Sequence, residues 1–165
     1  MMQRLAAVIW ISIWALISGC GDDAPPKATV SNNVKPKEGA PFTVAVLSLD
    51  MLWCPPGTFS MGSPDDEAMR DLDEVLRQVT LTSGFWLGKQ EVTQTQWQKI
   101  MGNNPSHFKG PELPVEKMSW ESARSFCVKL TARERRSGRL PQGWAYQLPT
   151  EAQWEYACRA GTKTA

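Results

Sequence analysis

Four cysteines, a single histidine, one acidic run and one arginine cluster hold the reactive side chains of this 165-residue sequence. Thiols can take a lipid, pair as disulfides, attack a substrate or bind a soft metal. Cys54, Cys127 and Cys158 stand far apart in sequence and form none of the short ligand spacings of a metal motif. His107 has no nucleophile or carboxylate paired with it by motif, so it reads as a loop histidine rather than a general base. Asp65, Asp66, Glu67, Asp71, Asp73 and Glu74 offer oxygen ligands, yet the alternation and glycine of a calcium loop are missing, and a solvated loop is the reading. Arg133, Arg135, Arg136 and Arg139 cluster where a helix ends, which complements its dipole; a phosphate or lipid headgroup is the alternative target. No Ser/His/Asp motif, glycine-rich phosphate loop or Cys/His cluster occurs.

The elements that carry these residues can be read from pattern. Arg4 precedes an apolar run from Leu5 to Ile17, shorter than the ~20 residues a spanning helix needs, and Ser18-Gly19 then precede Cys20 as in a secreted leader. Residues 21 to 41 contain Pro25, Pro26, Pro36 and Pro41 with almost nothing large and apolar, which suits a flexible tether. Phe42 to Leu49 is a Val-rich run with two readings, strand or spacer. Pro55-Pro56-Gly57 forces a turn before a short strand at Phe59 to Gly62, and alternating Val79, Leu81, Phe85 and Leu87 predict strand broken at Gly84. Three helices are expected. Thr93 with Gln96, and Thr150 with Gln153, are capping boxes, and Ser119 caps the longest helix, with Ala123, Phe126, Cys127 and Leu130 as its core stripe. Trp97, Ile100 and Met101 form the stripe of the first helix, and Trp154, Ala157 and Cys158 that of the last. Eighteen basic against seventeen acidic residues, with Arg4 lost if the leader is removed, give no electrostatic case for nucleic acid.

The residue order adds what periodicity cannot. Ile17-Ser18-Gly19-Cys20 resembles the bacterial lipobox, whose cysteine takes a diacylglycerol and becomes the first residue of the mature chain. Leu148-Pro149-Thr150-Glu151-Ala152-Gln153-Trp154-Glu155-Tyr156-Ala157-Cys158-Arg159-Ala160-Gly161 closely resembles the signature of the formylglycine-generating enzyme family, also called sulfatase-modifying factor domains, where Glu usually stands at the place of Gln153. Pro56 to Pro64, Phe85 to Thr93, and Asn104 to Pro111 with Leu113 to Glu116 resemble further family motifs. The acidic segment departs from the family, which often has Pro in place of Leu76 and a His soon after.

The resemblance covers about residues 53 to 165 and implies an α+β, C-type-lectin-like fold, incomplete at the C-terminus. The expected organisation is a lipoprotein leader at 1–19, lipidated Cys20 with a flexible tether at 20–41, and the N-terminal portion of a sulfatase-modifying factor domain at 42–165. In catalytic members, two cysteines near the domain's C-terminal end bind copper and activate oxygen to convert a substrate Cys to formylglycine. Their matching positions, and the family's calcium sites, do not fall in this sequence, so no catalytic, cofactor-binding or metal residue is assigned. Cys127 and Cys158 match family cysteines that each bond to a cysteine of the second half. Two functional expectations result. One is a lipid-anchored, extracytoplasmic formylglycine-generating enzyme-like protein of the bacterial cell envelope, acting on a sulfatase-like protein substrate in its complete form. The other is a non-catalytic lectin-like binding module, since scaffolds of this kind keep the fold and lose the chemistry. The iron-dependent sulfoxide synthase branch needs a His-rich site, which one histidine cannot build. The expected partners are membrane lipid through Cys20 and a protein, with no nucleic acid.

Overall fold

The computed structural model describes residues 12–15, 36–68 and 74–162. Among them, seven strands and three helices follow the order β1 (Ser12–Ala15), β2 (Phe42–Val44), β3 (Leu49–Cys54), β4 (Gly57–Met61), β5 (Arg77–Leu81), β6 (Phe85–Gly88), α1 (Gln94–Met101), α2 (Trp120–Arg136), β7 (Trp144–Gln147) and α3 (Glu151–Arg159). The Val-rich run resolves as β2 and the start of β3 around a turn, so it belongs to the fold. Ala40, within the segment read as tether, accepts a hydrogen bond from Trp86 Nε1 at 2.8 Å. Cys20 and residues 69–73 of the acidic run lie outside the described residues.

Two sheets form. The larger has the order β2-β3-β6-β1-β7 and the smaller pairs β4 with β5. β6 reads Phe-Trp-Leu-Gly and is buried at all four positions, as expected for a strand with neighbours on both edges and layers on both faces. β1 runs antiparallel to both its neighbours, with Ile13 opposite Trp86 on one side and Tyr146 on the other. These residues fall within the expected leader.

The core lies between the large sheet and the pair α1/α2. Trp86, Trp97, Phe126, Leu130, Met51 and Leu49 are among its most deeply buried side chains. Trp97 of α1 stacks on Phe126 of α2 with centroids 5.3 Å apart and planes 3° from parallel. Trp86 touches Trp144 at 5.2 Å and Trp53 at 4.3 Å. The end of each predicted helix is set as its local chemistry requires. α1 carries a complete capping box at Thr93/Gln96 and stops at left-handed Gly102, φ 82°. α2 is capped by Ser119. α3 carries the Thr150/Gln153 box, and its left-handed stop is Ala160, φ 47°, followed by left-handed Gly161, φ 87°.

The stripe expected on α3 is not buried. Gln153 is the only buried residue of this helix, Trp154 and Ala157 are half-buried, and Cys158 is exposed. The reason is packing rather than propensity. α3 rests on β4 through Tyr156, which meets Phe59 edge-on at 5.3 Å.

Candidate functional site

The three described cysteines are free thiols on three different elements, Cys54 at the end of β3, Cys127 inside α2 and Cys158 on α3. Burial pushes the Cys54 thiol up to about 11 and that of Cys127 to about 12. The Cys158 thiol is also raised, by burial first and by the Glu155 carboxylate second. All three are therefore protonated near neutrality, the poor form for attack or for Cu(I). Among the described residues no three His, Cys, Asp or Glu side chains converge on a point that could hold a metal.

The arginine cluster is engaged within the fold. Arg139 grips buried Glu134 through Nε and Nη2, the shortest contact being 2.7 Å. Arg135 donates to the Trp144 carbonyl and Arg133 to the Lys99 carbonyl. The Arg135 and Arg133 bonds tie α2 to β7 and α1, which gives these two arginines a structural role.

Two polar hubs that sequence reasoning missed organise the long segment from Asn103 to Glu116. Gln94 is 2 % exposed although it is the first residue of a helix. Its Nε2 donates to the carbonyls of Phe108 and Pro114, and its Oε1 accepts from Asn104 Nδ2 and the Gly110 N–H. One amide therefore supplies the hydrogen bonds that a loop without secondary structure cannot make internally. Glu116 Oε1 accepts the N–H groups of His107 and Phe108. Those bonds, the Phe108 N–H foremost, hold its carboxyl below the usual range, with Lys117 and His107 adding favourable charge. The signal available in sequence was Pro-flanked polar residues in a segment too long to lack organisation. On this frame His107 is exposed and lies edge-on to Phe108, whose side chain is 71 % exposed. Beside it, Gln94, Thr95, Gln98, Asn104, Lys109 and Pro111 line a shallow polar groove. The arrangement presents an aromatic tip beside a shallow groove, both on a loop held by the Gln94 and Glu116 bonds.

A clasp secures the family-like α3 stretch. Gly62 donates its N–H to Glu155 Oε1 at 2.8 Å and accepts from Arg159 Nη2 at 2.7 Å, while Arg159 and Glu155 pair at 2.7 Å. Gly62 has φ +93°, and a Cβ there would meet the Val75 carbonyl oxygen at 2.6 Å. The Pro56–Pro64 stretch and α3 are thus joined at a position that only glycine satisfies.

A profile described as the sulfatase-modifying factor enzyme 1-like domain matches residues 38–165. A chaperone protein, LppX, of Paenibacillus barcinonensis is 37 % identical over 113 residues, covering 53 % of this chain and 40 % of that protein. The formylglycine-generating enzyme of Mus musculus is 24 % identical over 164 residues, covering 67 % of this chain and 40 % of the enzyme. The chain thus spans about two fifths of the length of these curated relatives. Among solved structures, PvdO from Pseudomonas aeruginosa superposes with a TM-score of 0.63 at 24 % identity, covering 78 % of this chain and 54 % of PvdO. That likeness establishes a shared fold.

Proposed function

The chain belongs to the sulfatase-modifying factor enzyme 1-like family, and from that premise we propose that it is a lipid-anchored, extracytoplasmic member whose residues 36–162 bind and position a polypeptide rather than oxidise it. The observation that carries this reading is the placement of the thiols: each is free, and each sits on a different element. The rigid 103–116 loop with exposed Phe108 supplies a contact surface instead. A relative named as a chaperone supports binding without chemistry. Cys20 supplies the anchor, through a thioether to membrane lipid in the bacterial envelope. The expected ligand is an extracytoplasmic protein segment of the sulfatase-like class.

The test combines two measurements on the full chain produced in a bacterial host. Labelled fatty acid should enter the wild type and not Cys20→Ser, which should leave the membrane fraction. A cysteine-containing sulfatase peptide with copper and oxygen should keep its thiol while its fluorescence anisotropy rises on binding. Conversion of that thiol to an aldehyde would overturn the binding reading.

A second reading is favoured by the formylglycine-generating relatives, in which this portion belongs to a copper-dependent oxidase whose metal-binding cysteines lie in a longer polypeptide. The coding sequence downstream of Ala165 decides it: a second half ending in a cysteine pair supports the oxidase, and a second half without one supports the binding module.

A further inference from the structure

The tip of the 103–116 loop hangs on two hubs of different chemistry. Gln94, whose amide does not titrate, holds the Phe108 carbonyl and the Gly110 N–H. Glu116 holds the other side of the tip, where one carboxylate oxygen accepts the N–H groups of both His107 and Phe108. The Glu116 N–H donates to Ser106 Oγ at 3.1 Å, and Ser106 is buried. Glu116 thus closes on residues 106 to 108 with its main chain and its side chain together.

These two links respond differently to protons. The backbone at 115–116 is fixed by the Ser106 bond and by the Val115 N–H on the Val92 carbonyl at 2.9 Å, neither of which has a titratable member. The chain then turns at Lys117 with φ 59°, a left-handed conformation that is uncommon for a lysine and persists where surrounding contacts over-determine it. The Glu116 side chain is therefore delivered to the tip by an anchored backbone. Its two bonds depend on charge, because an ionised acceptor binds N–H groups about twice as strongly as a neutral one, and protonation turns one carboxyl oxygen into a donor. The charged groups that act on it are Lys117 and His107, both favouring the ionised form. Lys109, also in the loop, donates to the Asn104 carbonyl at 3.0 Å.

We propose that Glu116 is an acid-sensitive catch on this loop: ionised, it fixes His107 and the N–H side of Phe108, and protonated, it releases them while Gln94 keeps the rest of the loop in place. The Phe108 and His107 N–H bonds favour the carboxylate and hold the carboxyl below the ordinary glutamate value of 4.5. The catch is therefore fully engaged above that value and is lost as pH falls through the lower folded one. The released tip turns about the Phe108 carbonyl, which stays on Gln94. That acid thereby weakens the hold on a polypeptide rests on the contact-surface reading above; the catch itself does not.

Amide NMR of the full chain, titrated from pH 7 to pH 3, tests the catch. The His107 and Phe108 amide protons should move upfield together with one midpoint below 4.5, while the Gly110 amide, bonded to Gln94, does not follow them. Glu116→Gln, a neutral isostere, should show at pH 7 the shifts that the wild type reaches only in acid, and should not titrate. Separate midpoints for the two amides, or the same titration in Glu116→Gln, would overturn the proposal. Should the α2 amides shift before the tip does, the two chains compared at pH 7 decide: moved His107 and Phe108 amides in the variant support the catch, and unmoved ones overturn it. Anisotropy of the labelled sulfatase peptide reads the consequence separately. Affinity should fall with the amide shifts in the wild type and stay level in Glu116→Gln, and a level affinity in both would overturn the regulatory step. Absence of peptide binding at pH 7 would instead overturn the contact-surface reading, with the amide titration still reporting the catch.

Discussion

Cysteine burial makes the first prediction one of pH. In the unfolded chain these thiols titrate near 9.0, whereas in the fold Cys54 and Cys127 are pushed up to about 11 and about 12. The folded state therefore holds its thiol protons more tightly. That contribution to stability is complete below pH ~9 and is lost as pH rises through the folded values, because the unfolded chain releases protons first. Urea unfolding measured from pH 8 to 12 should show falling stability above pH 9, less steeply in Cys127→Val; an identical slope in the variant would refute the assignment. Alkylation at pH 8 should modify Cys158 first and Cys127 last. Glycine provides a second residue-scale prediction. A Cβ at Gly84 would collide with the Trp53 ring, so Gly84→Ala should cost about 1–3 kcal/mol, the usual range for overpacking. A neutral result in a thermal melt would mean that Trp53 can move aside, and with it the contact to Trp86.

At the scale of elements, the two capping boxes invite comparison because their local chemistry is the same and their surroundings differ. Gln96 completes the α1 box and its Nε2 also donates to the Leu47 carbonyl at 3.1 Å. Gln153 completes the α3 box, yet its Nε2 is buried with no partner among the described residues. The α1 box therefore ties a helix to the sheet turn, whereas the α3 box serves its own helix. Thr93→Ala and Thr150→Ala should each cost about 1 kcal/mol for the lost cap. Only the first should also raise hydrogen exchange at Leu47 to Leu49, since Gln96 would lose its fixed rotamer. Equal propagation from both sites would contradict this distinction. Gln94→Ala belongs to the same scale. It should speed exchange across 104–114 while leaving α2 protected, because four of the loop's bonds end on that one amide.

For the molecule as a whole, stability should follow the sheet-on-helix core and ignore aromatic residues outside it. Trp97 is 1 % exposed and stacked on Phe126, while Trp120, on the outward face of α2, is 61 % exposed. Trp97→Ala should cost about 3–5 kcal/mol. Trp120→Ala should fall within about 0.5 kcal/mol. Chemical denaturation of the two variants checks this, and a large loss at Trp120 would reveal a covering layer on that face. The engaged arginines belong here too, since Arg133 and Arg135 join α2 to α1 and β7 and so help hold the two layers in register, while Arg139 closes on Glu134 at the end of α2 itself.

Local chemistry made much of this legible. Thr93, Ser119 and Thr150 begin the helices because a hydroxyl meets the unpaired N–H groups of the first turn wherever the rest of the chain lies. The α2 stripe from Ala123 to Leu130 was likewise readable from spacing, and the ordered motifs identified the family and its α+β fold. Pattern failed where partners come from far along the chain. Trp154 and Cys158 have core spacing, but a stripe is buried only if another layer meets it, and α3 meets β4 through Tyr156 instead. Gln94 looks like any polar residue at a helix start until the Phe108 and Pro114 carbonyls arrive at its amide. The place of Ser12–Ala15 was least readable of all, because an apolar run satisfies a leader and a buried strand equally well. The edges of β6 and β7, more than 70 residues downstream, decide which backbone bonds it makes.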